Sequence, residues 1–337
     1  RFGGGGGGKG SAMSQRSAGC SGWLLPAEAA ALALWLAWVA AQPSRAQAQS
    51  GDDETQPAVD WSGLIRQIPE LKKLEPPASA AESAQVLPVI LSKVGANVGA
   101  FFRDFPNTTS HERIHTERLD EQYSYQDDMG VTRTSSSGLD QEFNYVALAR
   151  ASPERIGLDE YRTDRKGALV EPGGGLVTKG FASMSIHFHP AFQNDSVFQY
   201  LGTEKIKRQP AYVVAFAQRP GVAHIVGRID LPNRSFAELL QGVAWINTES
   251  YQIIRLRTDL LTPATEAGLK KETTEVRYES VHFKGVESEV WLPEDVTVTV
   301  GWKGENLRNT HHYSDFRRFS VETEETQGSP APADRPR

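Results

Sequence analysis

The sequence predicts an α+β protein in which one long helix is followed by a large antiparallel sheet. Two observations carry this. Apolar residues recur at three- and four-residue steps over residues 80–103 and nowhere else as clearly. After Pro106 the period drops to two and stays there almost to the end of the chain. A third observation, an apolar run near the start followed by small residues, predicts export.

The N-terminal part comes first. Residues 1–10 are mostly glycine and can hold no core, which makes Met13 a better initiator. Arg16 then supplies a positive start and residues 29–41 an uncharged apolar run of 13 residues. Ala46 and Ala48 form the small-x-small cleavage pattern, so residues 1–48 read as a signal peptide with an artefactual Gly-rich beginning. A retained anchor is the alternative, but a helical span needs about 20 residues. Cys20 follows Ser17-Ala18-Gly19 in the manner of a lipobox, yet it precedes the apolar run instead of following it. Cleavage after Ala48 therefore leaves a chain without cysteine, held together by core burial alone.

Residues 1–48 hold four basic side chains (Arg1, Lys9, Arg16, Arg45) and one acidic (Glu28). Taking them from 36 and 42 leaves 32 basic and 41 acidic residues, a net charge of −9. Such a chain, with no basic arm or patch, is a poor partner for nucleic acid.

Residues 49–79 read as a polar linker with a short helix, in which Trp61, Leu64, Ile65, Ile68 and Leu71 share a face and Pro76-Pro77 ends it. In the main helix Leu87, Ile90, Leu91, Val94, Val98, Phe101 and Phe102 form the apolar stripe, and Pro88 suggests that the regular part starts near it. Strands are predicted around 110–122, 139–151, 157–164, 196–203, 211–217, 224–231, 243–246, 251–260, 275–279, 296–302 and 306–321. Val296, Val298, Val300 and Trp302 alternate with polar residues, as do Ile254, Leu256 and Leu260. Arg219-Pro220-Gly221, residues 247–250 and residues 304–306 supply turns. Residues 326–337, rich in Pro and Ala, read as a disordered tail.

The sharpest chemical motif is His111-Glu112-Arg113-Ile114-His115. On a helix this H-E-x-x-H spacing puts two zinc-binding histidines on one face, with the glutamate as general base of a zinc hydrolase. Its surroundings lack an apolar helical stripe, and in a strand the two histidines stand ~13 Å apart, too far for one metal. The strand reading is the expected one, so no metal and no cofactor are expected. His187 with His189, and His311 with His312, are read as strand histidines. No G-x-S-x-G elbow is present, and Gly173-Gly174-Gly175 lacks the G-K-[ST] ending of a phosphate loop.

Gly242-Val243-Ala244-Trp245-Ile246-Asn247, a turn, and Tyr251-Gln252-Ile253-Ile254-Arg255-Leu256 together resemble a strand–turn–strand of the outer-membrane lipoprotein carrier superfamily. Trp291-Leu292-Pro293 ahead of a strand is similar too. Pro106-Asn107 and Phe198-Gln199-Tyr200-Leu201-Gly202 resemble envelope proteins of soil bacteria in that group. The resemblance implies a half-barrel domain over residues 80–325: a curved antiparallel sheet wrapped around helices, with a concave apolar face able to receive acyl chains. It implies a lining of Phe101, Phe102, Trp245, Val296, Val298, Val300 and Trp302. Each of these also reads as a closed core residue. The expected function is non-enzymatic binding, in the periplasm, of lipid or lipoprotein acyl chains. The alternatives are an envelope sensor or scaffold that contacts a protein partner, and the zinc hydrolase.

Overall fold

The computed structural model describes residues 32–35, 68, 71, 74, 79–126, 132–150, 156–173, 176–224, 227–231 and 234–319. The cleavage residues Ala46 and Ala48, most of the linker helix and the tail at 326–337 lie outside them.

Helix α1 (Ala80–Asp104) is capped by Ser79, whose Oγ accepts from the Glu82 N–H at 3.1 Å. Pro88 lies inside the helix and not at its start. The N-cap fixes the beginning two turns earlier, and the turns around Pro88 are largely exposed, so its missing N–H disturbs no packed segment. Over Ala81–Asp104 the helix is long and apolar enough to cross a membrane by composition alone. Here Ile90, Val94 and Val98, four residues apart, are buried against the sheet.

The strands are β1 (Leu32–Trp35), β2 (Thr108–Gln126), β3 (Thr132–Ala149), β4 (Leu158–Thr163), β5 (Leu169–Val170), β6 (Leu176–Lys179), β7 (Ser196–Ile206), β8 (Gln209–Gln218), β9 (Gly227–Leu231), β10 (Arg234–Glu238), β11 (Leu240–Asn247), β12 (Ile253–Leu260), β13 (Leu269–Val281), β14 (Val290–Trp302) and β15 (Glu305–Arg318). Eleven of them form one antiparallel sheet in the order β5-β4-β3-β2-β15-β14-β13-β12-β11-β8-β7. Its end strands β5 and β7 are not paired, so the sheet is open. Tyr145 on β3 and Tyr200 on β7 stand eight places apart in this order, yet both belong to the apolar core that holds α1. A sheet of this width must curl around its filling to achieve that. This is the α+β half-barrel arrangement expected from the sequence.

A 3-10 segment (Ala182–Phe188) lies with α1 inside the sheet, contributing Met184 and Phe188, both fully buried. A second sheet, β10-β9-β1-β6, was expected only in part, since the sequence marked only β9 as a strand and read the stretch that holds β1 as the apolar run of a signal peptide. It is bound to the large sheet by side chains. Asn309 Nδ2 donates to the Leu176 carbonyl at 3.0 Å, and Arg162 Nη2 to that of Thr178 at 2.7 Å.

The reverse face of the large sheet is also covered. Val213, Ala215, Val243 and Trp245 pack there with Ile68, Leu71 and Leu74 of the linker. Strand β8 is therefore buried on both faces, which is why Ala211–Ala217 reads as a nearly continuous apolar run. A register shift between Trp245 and Ile246 breaks the expected alternation on β12. Ile254 goes to the reverse face with Trp245, while Leu256 faces the helix.

Close approach explains Gly242 on β11. A Cβ there would meet the Arg257 carbonyl oxygen at 2.1 Å and the Phe216 ring at 2.9 Å. Gly242→Ala is expected to lower the unfolding free energy by about 1–3 kcal/mol, read as a lower urea midpoint with unchanged slope.

Candidate functional site

The residues expected to line an acyl-chain channel do not surround a common space. Val296, Val298 and Val300 are fully buried, and Trp302 nearly so, in contact with the core around α1. Phe101 and Phe102 are half-buried and stack edge-on with ring centroids 5.1 Å apart. Trp245 is turned away from all of them. It sits on the reverse face, where its Nε1 donates to Glu204 Oε2 at 2.8 Å and Arg255 lies over its ring at 4.3 Å. The cavities beside Phe101 measure about 30 and 160 Å³, below the ~300–1,000 Å³ usual for a ligand pocket.

The H-E-x-x-H segment is strand β2, so its residues alternate between faces. His111 and His115 face outward, toward Glu142 at 3.6 Å and Asp140 at 2.7 Å. Glu112 faces inward and is fully buried. The zinc-hydrolase reading needs a helix here and fails on this geometry. Among the described residues, no group of three or more His, Cys, Asp or Glu side chains is placed to hold a metal ion.

Glu112 instead centres a buried polar cluster. Its carboxylate accepts from Arg162 Nε at 2.6 Å and Nη2 at 2.8 Å, a bidentate pair, and from the Tyr313 hydroxyl at 2.7 Å. His311 Nδ1 lies 2.9 Å from it, and His311 Nε2 lies 2.9 Å from Thr178 Oγ1. Burial pushes the His311 pKa down, against the pull of Glu112. The ring is then neutral at pH 7, with Nδ1–H donating to Glu112 and Nε2 accepting from Thr178. Burial alone would raise the Glu112 pKa, but Arg162 and His311 outweigh it and hold the carboxyl at about 2. The cluster is almost wholly buried, with Arg162 also bordering the cavity between β4, β5 and β6. It ties β2, β4 and β15 to β6.

The roomy space lies elsewhere. Strand β5 pairs with β4 at Arg162 and Thr163, and among the described residues no strand pairs with Leu158–Tyr161 on its outer side. A cavity of about 910 Å³ opens between that free edge, β5 and β6. Val146, Leu158, Val170 and Phe319 give it apolar walls, and Arg150, Arg162 and Lys179 line it together with Asp159, Glu160 and Glu171; Arg150 Nε is 2.9 Å from Asp159 Oδ1. Lys179 is buried except for a few per cent, with Nζ 3.5 Å from Glu171 Oε1. Burial lowers its pKa, and Glu171 partly restores it. On the same wall Glu160 accepts from the Tyr145 hydroxyl, from Ser183 Oγ at 2.6 Å and from the Ala182 and Ser183 N–H groups. Burial raises its pKa in spite of these bonds. The sequence offers one hint of this place, Gly173-Gly174-Gly175, which lacks the ending of a phosphate loop.

No family model matches the chain, and no curated protein matches it. Among solved structures, a LolA superfamily protein from Nitrosomonas europaea aligns at 11% identity and TM-score 0.34, over 69% of this chain and 94% of that one. A putative outer membrane lipoprotein-sorting protein domain from Vibrio parahaemolyticus aligns at 12% and 0.35, over 68% and 94%. A DUF1329 family protein from Desulfovibrio piger aligns at 12% and 0.32, over the same shares. TM-scores of this size carry no argument, and the fold class stands on the helix and strand order described above.

Proposed function

We propose that the protein is a non-enzymatic, exported binding protein of the bacterial envelope, and that its ligand is a lipid or lipoprotein acyl chain. The observation that supports this is the 910 Å³ cavity between β4, β5 and β6, whose walls include Val146, Leu158, Val170 and Phe319. Its volume falls within the range of ligand pockets. Apolar burial at ~25 cal/mol per Å² gives an acyl chain adequate affinity without reactive chemistry.

The test is native mass spectrometry of protein from an envelope fraction, with lipid extraction from the same sample and titration with a fluorescent fatty acid. One acyl lipid per chain is expected. Val170→Asp, which places a charge in the apolar wall on a short edge strand, is expected to weaken fatty-acid binding at least tenfold. An empty protein that takes up no fatty acid would overturn the reading. The filled core around α1 favours the second reading, a sensor or scaffold that contacts a protein partner, and that outcome would leave it standing.

A further inference from the structure

The small sheet holds its strands in an unusual way. Strand β1 lies between β6 and β9, parallel to the first and antiparallel to the second. Leu34 is opposite both Thr178 and Ile229. Among the described residues β6 and β9 are not paired to each other, and β1 joins them. Yet β1 comes from the stretch whose composition marks it for removal on export.

Without β1, a gap one strand wide separates β6 from β9. The carbonyls of Leu176 and Thr178 are turned to Asn309 and Arg162. By strand alternation, the peptide groups of Val177 and Lys179 face the gap. Strand β9 brings a second row of peptide groups from the other side. Backbone groups in such a place need partners, because leaving them unpaired and out of water is costly.

The gap also has a chemistry. Leu176 and Ile229 are fully buried, and Val177 nearly so. The charges nearby are already matched: Arg228 Nε is 2.8 Å from Asp230 Oδ1, and Lys179 is beside Glu171. The occupant that fits is therefore uncharged, apolar and extended. A strand inserted between two edges gains hydrogen bonds on both sides.

We propose that the gap between β6 and β9 is a strand-accepting site, and that in the processed protein it takes an extended apolar segment of a partner chain, parallel to β6 and antiparallel to β9. The proposal rests on the removal of residues 1–48 and is independent of the cavity. A partner strand could fill this site in a protein that binds no lipid, and lipid could occupy the cavity with the site empty.

The experiment uses protein expressed with its own N-terminal segment and purified from the periplasm. Intact mass establishes whether residues 32–35 are gone. Amide hydrogen exchange is then followed with and without a synthetic peptide of residues 30–38 that carries a solubilising lysine tail. A processed chain is expected, with exchange at residues 176–179 and 227–231 slowed at least tenfold by the peptide and exchange in β12 and β13 unchanged. A peptide with Leu34→Pro is expected to give no slowing, since proline is not tolerated in a strand flanked on both sides. Retention of residues 32–35 would overturn the proposal, because the site would be filled by the chain itself. So would unchanged exchange with the peptide, or equal slowing by the proline peptide.

Discussion

Arg162→Met is expected to lower the unfolding free energy by about 3–5 kcal/mol, the usual cost of removing one partner from a buried ion pair. The reason is the state of Glu112 after the change. It stays fully buried and loses two short hydrogen bonds to Arg162, at 2.6 and 2.8 Å. Only Tyr313 and His311 remain to hold it. The Thr178 carbonyl loses its donor as well, which loosens β6. Urea unfolding at pH 7, followed by tryptophan fluorescence, reads the loss directly. The double variant Arg162→Met, Glu112→Leu is expected to recover much of it, because no charge is then left unpaired. A loss below about 1 kcal/mol in the single variant, the range of exposed pairs, would show that solvent reaches the cluster. The pH dependence has a definite sign. The Glu112 pKa is lowered to about 2. Its contribution is therefore fully present above the unfolded value near 4.5 and is lost as pH falls through about 2.

Much of the fold was legible because periodicity is a local signal. The stripe through Ile90, Val94 and Val98 marks a helix with one buried face, and Val296, Val298 and Val300 mark a strand with one. Pro106-Asn107 marks the change. Asn107 Oδ1 accepts from the Ala149 N–H at 2.9 Å, tying the start of β2 to the end of β3. The facing of Trp245 was not legible, since β11 is buried on both sides and its pattern names no preferred face. Four-residue β6 is too short for a period to show. The candidate site was less legible still. Glu112 and Arg162 are 50 positions apart, and nothing local pairs them. One signal was available: Glu112, Ile114 and Thr116 alternate toward the core, so a strand reading of the segment already turned Glu112 inward and the two histidines outward. The large cavity depends on how little of β4 is covered by β5, a length that the glycine-rich connection does not specify.

A pair of carboxylates is expected to act in the opposite sense and in a different pH range. Glu238 on β10 and Glu272 on β13 are both buried, and each carboxyl shifts the titration of the other. Two carboxylates so placed cannot both ionise, so they share a proton. Burial is the main cause for each. It pushes Glu238 well up, helped by the charge of Glu272, and Glu272 up to about 7. Asp259 beside them adds to the rise, although Arg257 at 2.9 Å and the Thr273 hydroxyl at 2.6 Å hold most of its charge. The folded state thus binds a proton that the unfolded chain releases near pH 4.5. The stability that comes from this proton is fully present below about 4.5 and is lost as pH rises through about 7. A shift of this size corresponds to a loss on the order of 3 kcal/mol. Urea midpoints measured from pH 4.5 to 8 are expected to fall with pH, and Glu272→Gln, which keeps a hydrogen-bonding group without the charge, is expected to flatten the fall. A midpoint that rises over this range, or a Gln variant with an unchanged slope, would show that the pair is not the titrating group. Glu112 loses its contribution as pH falls below about 4.5 and the Glu238–Glu272 pair as pH rises above it through about 7, so stability should peak where the two windows meet, near pH 4.5. Above that pH the contact between β10 and β13 should weaken first, at the place where the small sheet is fastened to the large one.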